Sequence, residues 1–312
     1  MKRSEFQLIN YLKKTIPRQL KGKTGIGDDA AVFWRSRKDH WLVTTDVIVD
    51  GIDFKRQKAK PELIGRKALA VNLSDIAAMG GAPQAFVVTL GLPDGIKDAW
   101  LGRCYRGMMK LAKKYGVSCV GGDISRSSRF FLSVTLIGRS SGMKPICRNG
   151  AKPGDRIAVT GRLGGSIRGH HFSFEPRLRE GALLARRFRP SSMIDISDGL
   201  CQDLEHVLRA SKVSASIDLE SIPVSDAARR IARGRSAKAI THALSDGEDF
   251  ELLFTVSPGK AEKLERLWKK IFPRVRLSWI GNIESGSRGI QWRRGGQRAA
   301  GFRLRKAGFT HF

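Results

Sequence analysis

In this chain of 312 residues the acidic side chains are scarce, 29 Asp and Glu against 57 Lys and Arg, and their placement is informative. Asp28-Asp29 follow a Gly-x-Gly loop, Asp46 closes a Val-Thr-Thr run and Asp75 interrupts an apolar helical pattern. Asp123 follows Gly121-Gly122, Asp195 and Asp198 lie around Ser197, and Glu248-Asp249 follow Gly247. Each stands at the end of an apolar element or inside one, where a carboxylate is costly unless cations or donors meet it. Singly, each fits an arginine partner or a turn-forming Asx role. Together they form an oxygen-rich set suited to hard, hydrated Mg²⁺, which takes one or two carboxylates plus the phosphates of its substrate.

The glycines point the same way. Gly27, Gly121, Gly122, Gly164, Gly165 and Gly199 set bare backbone beside carboxylates or hydroxyls, so main-chain N–H groups can approach phosphate oxygens. The sequence has no G-x-x-x-x-G-K-[ST] loop, no G-x-G-x-x-G between a strand and a helix, no protein-kinase motif set and no G-x-S-x-G elbow. ATP chemistry here requires a different scaffold. Cys104, Cys119, Cys147 and Cys201 are scattered without zinc-site spacing, and His170-His171 read as packing residues, which fits a reduced compartment without structural zinc.

The net charge of +28 invites a nucleic-acid reading. Basic residues recur along most of the chain, however, with enrichments at 177–189, 229–238 and 288–306, and no zinc finger, RNP-like motif or basic zipper accompanies them. A solvated basic face that steers anionic substrates is the expectation, with nucleic acid unlikely as a partner. Met1-Lys2-Arg3 runs into Ser4-Glu5-Phe6 without an apolar leader, and Asn72, Ser74, Asp75 and Gln84 interrupt the longest apolar stretch. A cytoplasmic protein without a membrane span is expected.

The elements that must position these residues mix sheet and helix throughout. Periodicity predicts a helix from Ser4 ended by Pro17, strands over 31–34 and 41–49, and a long helix from Pro61 to Met79 closed by Gly80-Gly81. Strand 85–92, helix 100–115, a short strand 117–120 ending at Gly121-Gly122-Asp123, and strand 130–138 follow. Lys144 to Asp155, rich in Pro and Gly, reads as a junction. Beyond it, strands are expected at 156–160, 193–196, 213–219 and 250–256, and helices at 200–211, 227–233 and 260–271. Two α+β domains result, 1–142 and 143–312.

In order, these segments resemble the thiamine-monophosphate kinase family, a branch of the superfamily that includes aminoimidazole ribonucleotide synthetase. The matching stretches are Gly25 to Ala30, Thr44-Thr45-Asp46, Lys67 to Gly80, Gly121-Gly122-Asp123, Arg148 to Asp155, Ile194 to Leu200, Gly247 to Leu252 and the terminal Gly308 to Phe312. The resemblance implies a two-domain α+β fold of the aminoimidazole ribonucleotide synthetase-like kind, with N-terminal sheets pairing in a homodimer. It implies transfer of the γ-phosphoryl of ATP to thiamine monophosphate, giving thiamine diphosphate. By the same resemblance Asp29, Thr44, Thr45, Asp46, Asp75, Asp123, Asp195 and Asp198 would hold several Mg²⁺ ions. Gly121, Gly122, Arg148 and Ser197 would contact ATP, and Asp53, Glu248 and Phe309 would contact thiamine monophosphate. No general base is assigned, because the acceptor is already an ionised phosphate.

This chain departs from the family pattern at Asp53, before Phe54, where the family often has histidine, and at Gly165 and Asp246, where aspartate and glycine are usual. The alternatives are another ATP-using enzyme of the superfamily or, from a different class, a basic nucleic-acid-binding protein on a degenerate kinase fold. Selenophosphate synthetases want an N-terminal reactive Cys and hydrogenase-maturation homologues a C-terminal one; the first cysteine here is Cys104 and the sequence ends His311-Phe312.

Overall fold

The computed structural model describes residues 5–15, 25–36, 39–286, 289–299, 302, 304 and 308. Helix α1 (Glu5–Thr15) precedes strands β1 (Ala31–Ser36) and β2 (Asp39–Val49), helix α2 (Pro61–Ala78), strand β3 (Ala82–Leu92), helix α3 (Asp98–Tyr115), and strands β4 (Ser118–Arg126) and β5 (Phe131–Ser141). The five strands form one sheet in the order β1-β2-β5-β3-β4. All neighbours run antiparallel except β3 and β4, which are parallel and joined through α3.

The inner face alternates as a half-buried sheet should, with Leu42, Ile48, Phe86, Val88, Leu132, Val134 and Leu136 buried. Against it lies α2, which has Pro at its first turn and buries residues on every side, Ile64, Leu69, Leu73 and Ile76 among them. Each such side chain contributes about 1.5–3 kcal/mol by leaving water. Helix α3 crosses α2 at backbone contact: a Cβ at Gly65 would stand 1.9 Å from the carbonyl oxygen of Cys104, and one at Gly107 1.8 Å from that of Glu62.

A second sheet begins with β6 (Arg156–Thr160) and includes β7 (Ser192–Asp195), β8 (Ser214–Asp218), β9 (Leu252–Val256), β10 (Leu277–Glu284), β11 (Ile290–Arg294) and β12 (Gln297–Arg298). Its order is β12-β11-β8-β10-β6-β9-β7. Short helices α4 (His170–Ser173) and α5 (Leu178–Leu183) pack on α2. Helices α6 (Leu200–Ser211), α7 (Asp226–Ile231) and α8 (Ser236–Ser245) pack with one face of the second sheet around Leu204, Val207 and Leu244. Helix α9 (Pro258–Ile271) joins the other core through Leu264 and Trp268, and that core runs continuously from the first sheet through α2 into Phe250, Leu252 and Phe254.

The mixed α+β architecture agrees with the expectation. Several elements differ from it. Strand β4 continues through Gly121-Gly122-Asp123 to Arg126, because its parallel pairing with β3 persists to Leu92↔Arg126. Helices α4, α5 and α8 and strands β10, β11 and β12 were not expected; β10 has Gly281 and Asn282 within it and a register shift between Trp279 and Gly281, which blurs its period-two pattern. Ser4, Ile16 and Pro17, expected to bound the first helix, lie outside the described residues.

Candidate active site

Four aspartates from four separate segments meet where α2 passes between the two sheets. Asp29 comes from the turn before β1, Asp46 from the inner face of β2, Asp75 from the last turns of α2 and Asp195 from the end of β7. One carboxylate oxygen each of Asp29, Asp75 and Asp195 lies within 4.8 Å of the others. Asp46 shares a side-chain hydrogen bond with Asp75. Thr44, two residues before Asp46 and therefore on the same face of β2, donates its hydroxyl to Oδ2 of Asp75. Ser74 donates to Oδ2 of Asp195 at 2.6 Å.

So many carboxylates cannot all ionise unaided. Burial pushes Asp75 well above the usual carboxylate range, and the charges of Asp46, Asp195 and Asp29 push it further. Asp195 is raised to about 8 by burial and then by Asp29, and Asp46 is raised by burial. Among the described residues, Arg148 meets part of this charge. Nη2 of Arg148 bonds Oδ1 of Asp29 at 2.6 Å, while its main-chain N–H donates to Oδ1 of Asp28 at 3.2 Å. These acids hold the Arg148 guanidinium firmly protonated. Oδ2 of Asp29 and Nε of Arg148 are nevertheless buried without a hydrogen-bond partner. A buried carboxylate oxygen left open among converging hard oxygen donors fits a divalent cation such as Mg²⁺.

Other sequence-predicted residues fall elsewhere. Thr45 projects to the opposite face of β2, where its Oγ1 lies 3.0 Å from Oγ1 of Thr135, so its side chain is turned away from the carboxylates. Strand alternation is the reason. Gly121, Gly122 and Asp123 lie exposed on β4, an edge strand; a Cβ at Gly122 would stand 2.0 Å from the carbonyl oxygen of Val88, so only glycine fits that pairing. Asp198 belongs to a separate group with Asp203 and His206, whose ligand atoms also lie within 4.8 Å of one another. There Asp203 accepts from the N–H groups of Asp198 and Gly199, both at 3.1 Å, closing the start of α6. Ser197 is half-buried beside this turn, and its carbonyl accepts from the N–H of Glu248 at 2.6 Å.

Asp53 caps its own turn by accepting from the N–H of Val49 at 2.7 Å, so its carboxylate is committed locally. Glu248 forms an ion pair with Lys67 of α2. Phe309 lies outside the described residues. Sequence reasoning assigned no role to Ser74 or Lys67; Lys67 carried a signal, since it is a charged residue on a helix position filled otherwise by apolar neighbours.

The chain matches the family model "AIR synthase related protein, N-terminal domain" over residues 27–140 and its C-terminal counterpart over 151–286. Hydrogenase maturation protein HypE from E. coli shares the fold, with a TM-score of 0.71 at 17% identity over 97% of this chain and 98% of that one. The class is thus the two-domain AIR synthase-related fold. Within it, the thiamine-monophosphate kinase of Rhodopirellula baltica is 39% identical over 84% of this chain and 84% of its own length. That of Escherichia coli K12 is 37% identical over 81% and 82%. A structure described as AaThiL complexed with AMPPCP and TMP superposes with a TM-score of 0.79, at 30% identity, over 100% of this chain and 99% of that one. The chain belongs to the thiamine-monophosphate kinase family.

Proposed function

We propose that this chain transfers the γ-phosphoryl of ATP to the phosphate of thiamine monophosphate, with Asp29, Asp46, Asp75, Asp195 and Thr44 holding Mg²⁺ between the two sheets. The observation that carries this is the meeting of three carboxylates within 4.8 Å of one another, with a fourth, Asp46, hydrogen-bonded to one of them, Asp75. Such a group is self-repelling by itself and becomes favourable when divalent cations and phosphates enter. Bound Mg²⁺ would supply charge neutralisation and alignment of the phosphates.

The chain's own residues do the rest. Arg148, whose Nη2 is held by Oδ1 of Asp29, would offer its remaining guanidinium N–H groups to a phosphate, with Ser197 as a further ATP contact. Gly121 and Gly122 offer main-chain contacts to ATP, and Asp123 and Asp198 serve further ions at the rims of the site. Thr45 is not carried forward as a side-chain ligand, because its hydroxyl faces Thr135. Glu248, Phe309 and the turn at Asp53 form the acceptor subsite, Phe309 by packing on the cationic ring system. No general base is required, since the attacking oxygen belongs to an ionised phosphate; the task is to bring two polyanions together in line.

Units 1–142 and 143–312 serve as the two domains, in keeping with family models that end at 140 and resume at 151. A homodimer through the first sheet is supported by its outer face, where Val47, Val87 and Ile137 are exposed, and by edge strand β4, with Val120 64% and Ile124 62% exposed. An open edge strand of nine residues, with Val120 and Ile124 exposed on it, favours a partner strand. Among the described residues no helix is long and apolar enough to cross a membrane, and a cytoplasmic enzyme is the reading we adopt. Incubation with ATP, Mg²⁺ and thiamine monophosphate tests the whole proposal: thiamine diphosphate and ADP are expected in equal amounts, and ADP without thiamine diphosphate would contradict the acceptor.

A further inference from the structure

Lys67 is 1% exposed in the middle of α2, flanked by Ile64, Ala68 and Leu69 in the core. An ammonium removed from water needs its charge and protons met. Its Nζ donates to the main-chain carbonyl of Asp53 at 3.0 Å and pairs with Oε1 of Glu248; the ring of Phe172 lies 5.7 Å away. One side chain therefore joins α2 to partners 14 and 181 residues distant in sequence, the turn after β2 and the loop before β9.

The Glu248 end of this bridge is held in uncommon backbone. Glu248 has φ +56° and Phe250 φ +50°, left-handed values that persist only where surroundings over-determine them. Here the N–H of Glu248 is tied to the carbonyl of Ser197 and that of Phe250 to the carbonyl of Ile196 at 2.8 Å. The backbone aims the Glu248 side chain inward, toward Lys67. That side chain stays 28% exposed, and among the described residues its Oε2 has no hydrogen-bond partner. The result is a carboxylate gripped by one oxygen and open at the other, held by the same ammonium that binds the carbonyl of Asp53, the other described residue assigned to the acceptor.

We propose that Lys67 is a positioning residue of the acceptor subsite: it fixes the Glu248 carboxylate through Oε1, leaves Oε2 to meet a donor on the acceptor, and cancels a negative charge that would otherwise oppose incoming phosphates. The proposal rests on the reading of Glu248 as an acceptor contact. A lysine present only to hold the core together would behave differently, because replacing a buried pair member by an apolar side chain of similar length then changes stability without selecting one substrate over the other.

Steady-state kinetics on the full chain distinguish the two, with Lys67→Met, Glu248→Gln and the double variant, each substrate varied at saturating levels of the other. We expect each single variant to raise KM for thiamine monophosphate about tenfold, the scale of one charge-assisted hydrogen bond. KM for ATP should move by less than about twofold, and the double variant should be no worse than the worse single one, the signature of residues acting as a unit. If Lys67→Met does not fold, as judged by circular dichroism, Lys67→Gln is measured in its place. A raised KM in Glu248→Gln with none in folded Lys67→Met, or effects that add, would overturn the positioning role while leaving Glu248 as an acceptor contact. No change in either would overturn the acceptor reading of Glu248 itself, and the proposal with it.

Discussion

Ser74, on α2, donates its hydroxyl to Asp195, at the end of β7, at 2.6 Å, although 121 residues separate them in the chain. The adjacent Asp75 is held from the other side by Thr44 of the first sheet. Two consecutive helix residues thus reach into both sheets, and the carboxylate group exists because α2 sits between them. Ser74 touches no phosphate in this account; it orients a ligand. Ser74→Ala is expected to weaken Mg²⁺ affinity about ten- to a hundredfold while the protein stays folded, measured as the Mg²⁺ dependence of the rate at saturating ATP. Unaltered Mg²⁺ dependence would separate Asp195 from the metal site.

The raised carboxylates give stability a pH dependence with a definite sign. In the folded chain Asp195 keeps its proton up to about 8, whereas unfolded it would lose it near the ordinary aspartate value of 3.8. Across that window the folded state binds more protons, so without divalent metal stability falls as pH rises toward 8. Mg²⁺ requires the deprotonated form, so the rise in Tm on adding Mg²⁺ is predicted to be larger at pH 8 than at pH 6, with proton release on binding. Thermal melts and calorimetry in buffers of different ionisation enthalpy would measure both. An Mg²⁺ effect independent of pH would count against these carboxylates as the ligands.

Arg148 is the cation that answers Asp28 and Asp29. Arg148→Met leaves a buried carboxylate pair without its cation, and the expected loss is about 3–5 kcal/mol of stability, with KM for ATP raised in whatever fraction remains folded. Lysine should not substitute, since one ammonium cannot hold Asp29 and keep further planar N–H donors for a phosphate. Denaturant melts of both variants test this, and a stable Arg148→Lys enzyme with normal KM for ATP would refute it.

The α2–α3 crossing predicts a purely structural effect. At Gly107 a Cβ would meet the carbonyl of Glu62 at 1.8 Å, so Gly107→Ala must push the two helices apart. A loss of about 1–3 kcal/mol is expected, read as a lower midpoint in urea. Gly102, on the same helix, would meet only the end of the Arg106 side chain, and Gly102→Ala should leave stability unchanged or slightly raised.

Exposed Val120 and Ile124 on β4 carry the dimer proposal. Ile124→Asp is expected to shift the protein from dimer to monomer in sedimentation velocity at micromolar concentration, without loss of secondary structure. A wild-type monomer in the same experiment would remove the homodimer from the account.

Much of this site was legible in the sequence because a carboxylate inside an apolar element is conspicuous. Asp29, Asp46, Asp75 and Asp195 were each singled out on that ground, and the structure brings them together. The same rule applied to a cation would have flagged Lys67. Thr45 was read from a tripeptide block, where strand alternation already separates it from Thr44 and Asp46. Which acids share one site was not legible: Asp198, three residues from Asp195, groups instead with Asp203 and His206 at the start of α6. In the fold, long periodic helices and strands such as α2 and β2 were clear. Strand β10, bulged at Trp279 and Gly281, and the continuation of β4 past its glycines depend on pairing partners distant in sequence, so no local pattern announces them.

The central claim, that these carboxylates hold the metal for phosphoryl transfer to thiamine monophosphate, is met most directly by comparing wild type with Asp75→Asn for Mg²⁺- and ATP-dependent formation of thiamine diphosphate. The substitution keeps the shape and removes the charge at the centre of the group. The account predicts product from wild type and a loss of at least about a hundredfold in Asp75→Asn, the scale of about 2.7 kcal/mol of transition-state stabilisation, with the variant still folded. Wild-type turnover matched by Asp75→Asn would contradict it.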